Sequence, residues 1–147
     1  MLQKQCFMQM QKISRKGTIE MDKRANIVIQ ETLNMIGMPH HLKGYRYLLS
    51  AISKCLEDRT EIDCIVKGLY VKVAEENGDT VTRTERAIRN AIEVSWTRGN
   101  AFVINNIFGY TVSCRKGRPT NSEFIAMVTD FISIHFDEIE DGTYRWK

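Results

Sequence analysis

Residues 73–98 read VAEENGDTVTRTERAIRNAIEVSWTR. Two helical patterns meet there across Asn77-Gly78-Asp79, residue types that favour a turn. Glycine reaches positive φ without a Cβ clash, and Asn and Asp side chains bond their own backbone. After the turn, Thr82 and Glu85 stand at capping-box spacing, which predicts a helix from Thr82, and Gly99 follows Arg98 as a stop signal. Within that helix Thr84, Ala87, Ile88, Ala91, Ile92 and Ser95 recur at intervals of three and four and form one small, aliphatic face. Such a face suits close seating on a preceding helix. Arg83, Arg86, Arg89, Asn90 and Thr97 fall on the opposite face, with Thr82 beside them. A short helix, a turn and a longer helix of this kind make a helix-turn-helix pattern.

The rest of the chain reads as helices on either side of this unit. Residues 27–36 form a short helix with Ile29, Leu33 and Ile36 on one side, ended by Gly37 and Pro39. Residues 41–57 carry a buried stripe of Tyr45, Leu48, Leu49, Ile52, Cys55 and Leu56. Residues 61–77 continue it through Ile65, Leu69, Tyr70 and Val73, with a bend at Gly68. Residues 100–108 form another short helix. Residues 109–119 read as a loop with an extended piece at Tyr110-Thr111-Val112. Thr120 and Glu123, again at capping-box spacing, open a last helix to about Phe136. No stretch sustains the alternation of a strand, so the expected class is all-α: a compact bundle of about six helices containing the helix-turn-helix. The expected organisation is an N-terminal tail at 1–24 with some helical character, a helical domain at 25–137, and an acidic C-terminal tail at 138–147. Met21 is an alternative start of translation.

Composition narrows the function classes. The chain has 147 residues, a hydrophobic fraction of 43% and a net charge of +3. That is one domain with a real core, and a charge too small to argue for a polyanionic partner without a concentrated patch. The four cysteines, Cys6, Cys55, Cys64 and Cys114, have no metal-ligand spacing and read as reduced thiols. His40-His41 lacks a third ligand, so no metal is expected. No apolar run is long enough for a membrane span and no secretory signal is visible, which makes a cytoplasmic, nucleoid-associated location the expectation. No nucleophile–base arrangement or Gly-rich phosphate loop occurs, so neither an enzyme nor a cofactor is expected.

The exposed face of residues 82–98 has three arginines in its first two turns, and it reads as having no acid at its centre. Arginine offers two parallel hydrogen bonds to guanine O6 and N7 in the major groove. Asparagine and threonine can hold phosphates or an adenine edge, and the N-terminus of the helix attracts phosphate. Glu85 has two readings, a helix cap or an acceptor for cytosine N4–H. Arg115, Lys116 and Arg118 form a basic loop around Gly117 that suits phosphate contacts beside the groove.

The string from Thr82 to Asn100 (TRTERAIRNAIEVSWTRGN) closely resembles the recognition helix of the sporulation stage-zero transcription factor A family of endospore-forming Firmicutes. So do Phe108-Gly-Tyr-Thr-Val-Ser113, Pro119-Thr-Asn-Ser-Glu-Phe-Ile-Ala-Met-Val128, Gly44-Tyr-Arg-Tyr-Leu-Leu-Ser-Ala-Ile52 and Leu69-Tyr70. The resemblance runs over roughly residues 27–136. It implies a response-regulator effector domain, a six-helix bundle that binds double-stranded DNA as tandem copies. Arg83, Glu85 and Arg86 stand where the family contacts bases, and Arg89 and Asn90 near its backbone contacts, with Thr82, Arg115, Lys116 and Arg118 added from the charge pattern. Residues 99–112, with Gly99, Val103, Phe108 and Val112, resemble the surface that engages the sigma subunit of RNA polymerase. The last helix resembles the one near the dimer contact.

Three departures stand out. The short N-terminal segment has no room for the family's phosphorylatable receiver domain, so a receiver-less regulator is expected. Val71 replaces a usual proline, and Asn90 a usual histidine, which removes a group able to carry positive charge. The competing reading is an interaction module that binds the sigma subunit or a full-length relative, with little DNA binding of its own.

Overall fold

A computed structural model describes residues 15–109 and 117–147. The elements are α1 (Arg15–Ile36), α2 (Lys43–Glu57), a 3-10 turn (Arg59–Cys64) running into a π turn (Ile65–Leu69), α3 (Tyr70–Glu76), α4 (Val81–Arg98), α5 (Ala101–Phe108) and α6 (Asn121–Glu140). The fold is an all-α bundle, with no strand among the described residues. The extended piece expected at residues 110–112 lies outside them.

One core unites the helices. Ile29, Leu33 and Ile36 of α1, Leu48, Ala51 and Ile52 of α2, Ile88 and Ala91 of α4, and Phe124, Ile125, Val128 and Ile132 of α6 are all fully buried. Three aromatic rings close its α5 side. Trp96 meets Phe108 edge-on at 5.0 Å, and Phe108 stacks on Phe124 at 5.3 Å.

The tightest contact in the bundle is that of α2 with α4. Gly44 is buried where the backbone of α4 crosses it. A Cβ there would lie 2.1 Å from the carbonyl oxygen of Ala87 and 2.6 Å from the Ala91 methyl. The small face read from the sequence is therefore small because two helix backbones nearly touch. At the far end of α4, the Asn100 N–H donates to the Ile36 carbonyl at 2.8 Å, tying its C-terminus to that of α1.

The turn between α3 and α4 follows from its residues. Gly78 sits at φ +64, a left-handed conformation that glycine adopts without cost. This lets Gly78 N–H and Asp79 N–H return to the carbonyls of Glu75 and Ala74. The bend expected at Gly68 is realised as the 3-10 and π turns. Asp58 accepts from Thr60 N–H at 3.0 Å, and Tyr70 N–H reaches back to the Ile65 carbonyl.

Both ends are more structured than their sequence suggests. α1 begins no later than Arg15, well inside the segment read as a tail, rather than at Ile27. That segment is rich in Met, Gln and Lys and only weakly periodic; part of what holds it is long-range. Arg24 donates twice to Glu140, at 2.7 and 2.8 Å, and lies over the Phe136 ring. α6 likewise continues past Phe136 to Glu140, through a break in helical geometry at His135. Ile139 is buried, and Tyr144 and Trp146 fold back onto Phe131. The acidic stretch from Asp137 is thus largely helix rather than a loose tail.

The α2–α4 contact gives a prediction of sign. On an isolated helix Gly44→Ala would stabilise by about 1 kcal/mol, whereas overpacking a tight contact costs about 1–3 kcal/mol. Chemical denaturation of Gly44→Ala should show net destabilisation. A gain in stability would mean that the two backbones do not approach as described.

Candidate nucleic-acid interface

The exposed face of α4 depends on how the helix starts. Thr80, not Thr82, is the N-cap. It is extended, and its hydroxyl accepts from Arg83 N–H at 3.2 Å. The Thr82–Glu85 capping box is therefore overturned. The turn at Gly78 delivers the chain two residues earlier, and the residue three beyond Thr80 is Arg83, which cannot return the bond. Asp79 holds this start in place. Its Oδ2 accepts from the Tyr47 hydroxyl at 2.6 Å and its Oδ1 from Thr80 N–H at 2.8 Å. The Tyr47 bond, the Thr80 amide and the nearby Arg83 charge hold the Asp79 carboxyl below the usual aspartate range. The same bond raises the Tyr47 phenol, with burial adding to it.

From that start, Thr82, Arg83, Arg86, Arg89 and Asn90 are exposed, while Thr84, Ile88, Ala91, Ile92 and Ser95 are buried against the bundle. The Arg83 side chain is 77% exposed, and its nearest carboxylate oxygen, on Asp79, is 4.0 Å away. Arg86 has no hydrogen-bond or ion-pair partner among the described residues. Both guanidinium groups therefore project from a face whose opposite side is locked into the core.

Other charged residues of the face are paired. Freed from a capping role, Glu85 pairs with Arg89 one turn on. Arg118 pairs with Glu93 at 3.2 Å. Glu93 is itself exposed and lies seven residues beyond Arg86, on the same side of α4. The exposed face thus carries a carboxylate in its fourth turn, which corrects the reading of a face without a central acid. The heptad spacing from Arg86 was the available signal. Arg115, Lys116 and Val112 lie outside the described residues.

A groove of about 770 Å³ runs beside α4. Val81, Thr82, Glu85 and Arg89 form one wall, residues 118–122 the other, and Ile65 and Tyr70 the apolar floor. Asn121 closes it from below. Only 9% exposed, it donates to the Tyr70 hydroxyl at 3.0 Å and to the Glu85 carbonyl at 3.1 Å. It ties the start of α6 to α3 and α4, a role with no signal in local sequence. Thr120 caps α6 in a full capping box with Glu123, as its spacing predicts.

The residues assigned to a polymerase surface divide differently. Gly99 is partly exposed. Val103 and Phe108 are 4% and 2% exposed, packed inside the bundle by the apolar face of α5. Their side chains cannot form an outer surface without unpacking the core. The large exposed apolar side chain of α5 is Phe102, at 56%.

Elsewhere, no group of three or more metal-ligating side chains occurs among the described residues, and His40 stacks on Tyr45. No helix among them is long and apolar enough to cross a membrane.

The bond between Tyr47 and Asp79 has a pH signature. A carboxyl with a depressed folded pKa contributes stability that is present above its unfolded value, near 3.9, and lost as pH falls through the folded value. Tyr47→Phe removes the main cause of that depression. Its destabilisation relative to the parent should be full at neutral pH and shrink below about pH 4. Denaturation at pH 7 and pH 3 measures this, and an equal effect at both would deny the bond its role.

Compared with known families, residues 29–132 match the family model described as "Sporulation initiation factor Spo0A C terminal". The match takes in the C-terminal part of α1, all of α2 to α5 and most of α6.

Proposed function

This chain belongs to the sporulation initiation factor Spo0A C-terminal family, whose members are DNA-binding effector domains of transcription regulators, and on that premise we propose that it recognises a specific duplex sequence through the exposed face of α4. Arg83 and Arg86 enter the major groove and read guanines, each by a bidentate pair to O6 and N7. Glu85 accepts from a cytosine amino group on the same face. Thr82, Arg89, Asn90 and the loop cations Arg115 and Lys116 hold phosphates and fix the register, and Arg118 is placed to add a further phosphate contact when its ion pair with Glu93 opens. Two or more copies bind tandem sites.

The observation that carries this reading is the exposure of Arg83 and Arg86 on a helix whose reverse face is seated on Gly44. A base-reading side chain must be free to approach the groove while its backbone stays fixed, and here the two conditions meet in one helix.

The exposed Phe102 of α5 supports a second contact. We assign the corner of Gly99 and Phe102 to a protein partner of the regulator, the sigma subunit of RNA polymerase, in place of the buried Val103 and Phe108. Control by a receiver in the same chain plays no part in the proposal.

The test begins with selection of a preferred site from random duplexes, followed by titration on that site and on a scrambled one at two salt concentrations. Arg83→Ala and Arg86→Ala should each lose about 1–3 kcal/mol of discrimination between the two. Equal affinity of the unaltered protein for both duplexes would defeat the proposal. Retention of a polymerase subunit by nuclease-treated protein that ignores sequence would favour an interaction module instead.

A further inference from the structure

We infer that Glu93 is an affinity-limiting residue of this domain: by pairing with Arg118 it withholds a phosphate ligand from the DNA backbone. The inference rests on the DNA-binding reading of α4. It adds a residue that neither the charge pattern nor the family match assigns.

Three observations carry it. Glu93 lies on the ridge that holds Arg86 and Asn90, one turn beyond Asn90, so its carboxylate faces the same way as the side chains offered to DNA. Its partner comes from a different element. Arg118 stands just before the capped start of α6, on the groove wall that faces Arg89. Buried Pro119 and Asn121 follow it, so the backbone that bears Arg118 is anchored while its side chain is not. Finally, the pair is open to solvent, with side chains 43% and 53% exposed. An exposed pair is weak enough for a competing anion to break.

A phosphate that reaches this wall must therefore displace a carboxylate to gain Arg118. On the opposite wall, Arg89 is held in a similar way by Glu85, one turn before it on α4. Glu85, however, has its own base-reading role, whereas Glu93 sits beyond the arginines that open the helix and has only the restraining one. The restraint acts on the sequence-independent part of binding, because phosphates are the same at every site.

Glu93→Gln keeps the shape and removes the charge. Titration on the selected and scrambled duplexes should then show tighter binding to both, by a similar factor. One additional phosphate contact steepens the slope of log K against log salt by about 0.9, which between 50 and 200 mM is an extra loss of about 3.5-fold. Adding Arg118→Ala to Glu93→Gln should abolish both the gain and the steeper slope. Unchanged affinity and slope in Glu93→Gln would overturn the inference. So would a gain that survives Arg118→Ala, since charge removal alone would then explain it. If the unaltered protein does not distinguish the two duplexes, the DNA reading fails and this inference with it. If it does distinguish them, either of the other negative results sinks this inference alone.

Discussion

The seating of α4 on α2 governs the rest of the molecule. With hydrogen in place of a side chain at Gly44 and methyls at Ala87 and Ala91, the two backbones come closer than most helix pairs allow. A helix held at its backbone has little freedom to roll, so the directions of its outer side chains are set by its inner ones. Arg83 and Arg86 are exposed because Thr84, Ile88 and Ala91 are not. The start of α4 is held independently, through Asp79, Tyr47 and Thr80, and its end through the bond from Asn100 to Ile36. Three fixings along one helix give a rigid ridge, which is what reading a groove requires.

Around that ridge the charges are arranged to restrain as well as to attract. Glu85 and Glu93 each hold a cation that could meet a phosphate, while Arg83 and Arg86 remain available. On the proposed reading, the cations offered to bases, Arg83 and Arg86, are less encumbered than Arg89 and Arg118, which would meet the backbone. An arrangement of this kind limits purely electrostatic binding, which depends on the number of cations released to phosphate and falls steeply with salt. A net charge of +3 points the same way.

The segments outside the family match, residues 15–28 and 133–147, are joined to each other as well as to the bundle. Arg24 and Glu140 link α1 to α6 over the Phe136 ring, while Tyr144 and Trp146 cover Phe131. They extend the core away from the α4 face and leave that face unobstructed. The short helix α5 contributes its apolar side to the aromatic cluster of Trp96, Phe108 and Phe124, and what it offers to the outside is Phe102 rather than the residues read from its string.

The helical class, the turn at Gly78, the capping box at Thr120 and the two faces of α4 are legible in the residue order alone, because each depends on residues within a few positions of one another. That order also carried the family resemblance, which long matching strings make specific. That α4 begins under Thr80 is secured by folding: Asp79, which holds that start beside the Gly78 turn, is gripped by Tyr47, far away in the chain. Only the tertiary structure revealed Asn121 as the tie beneath the groove, Glu93 as the partner of Arg118, and α1 and α6 as longer than their periodicity suggests. In each of these cases the deciding partner lies more than twenty residues away, and no local pattern encodes a contact made across such a distance.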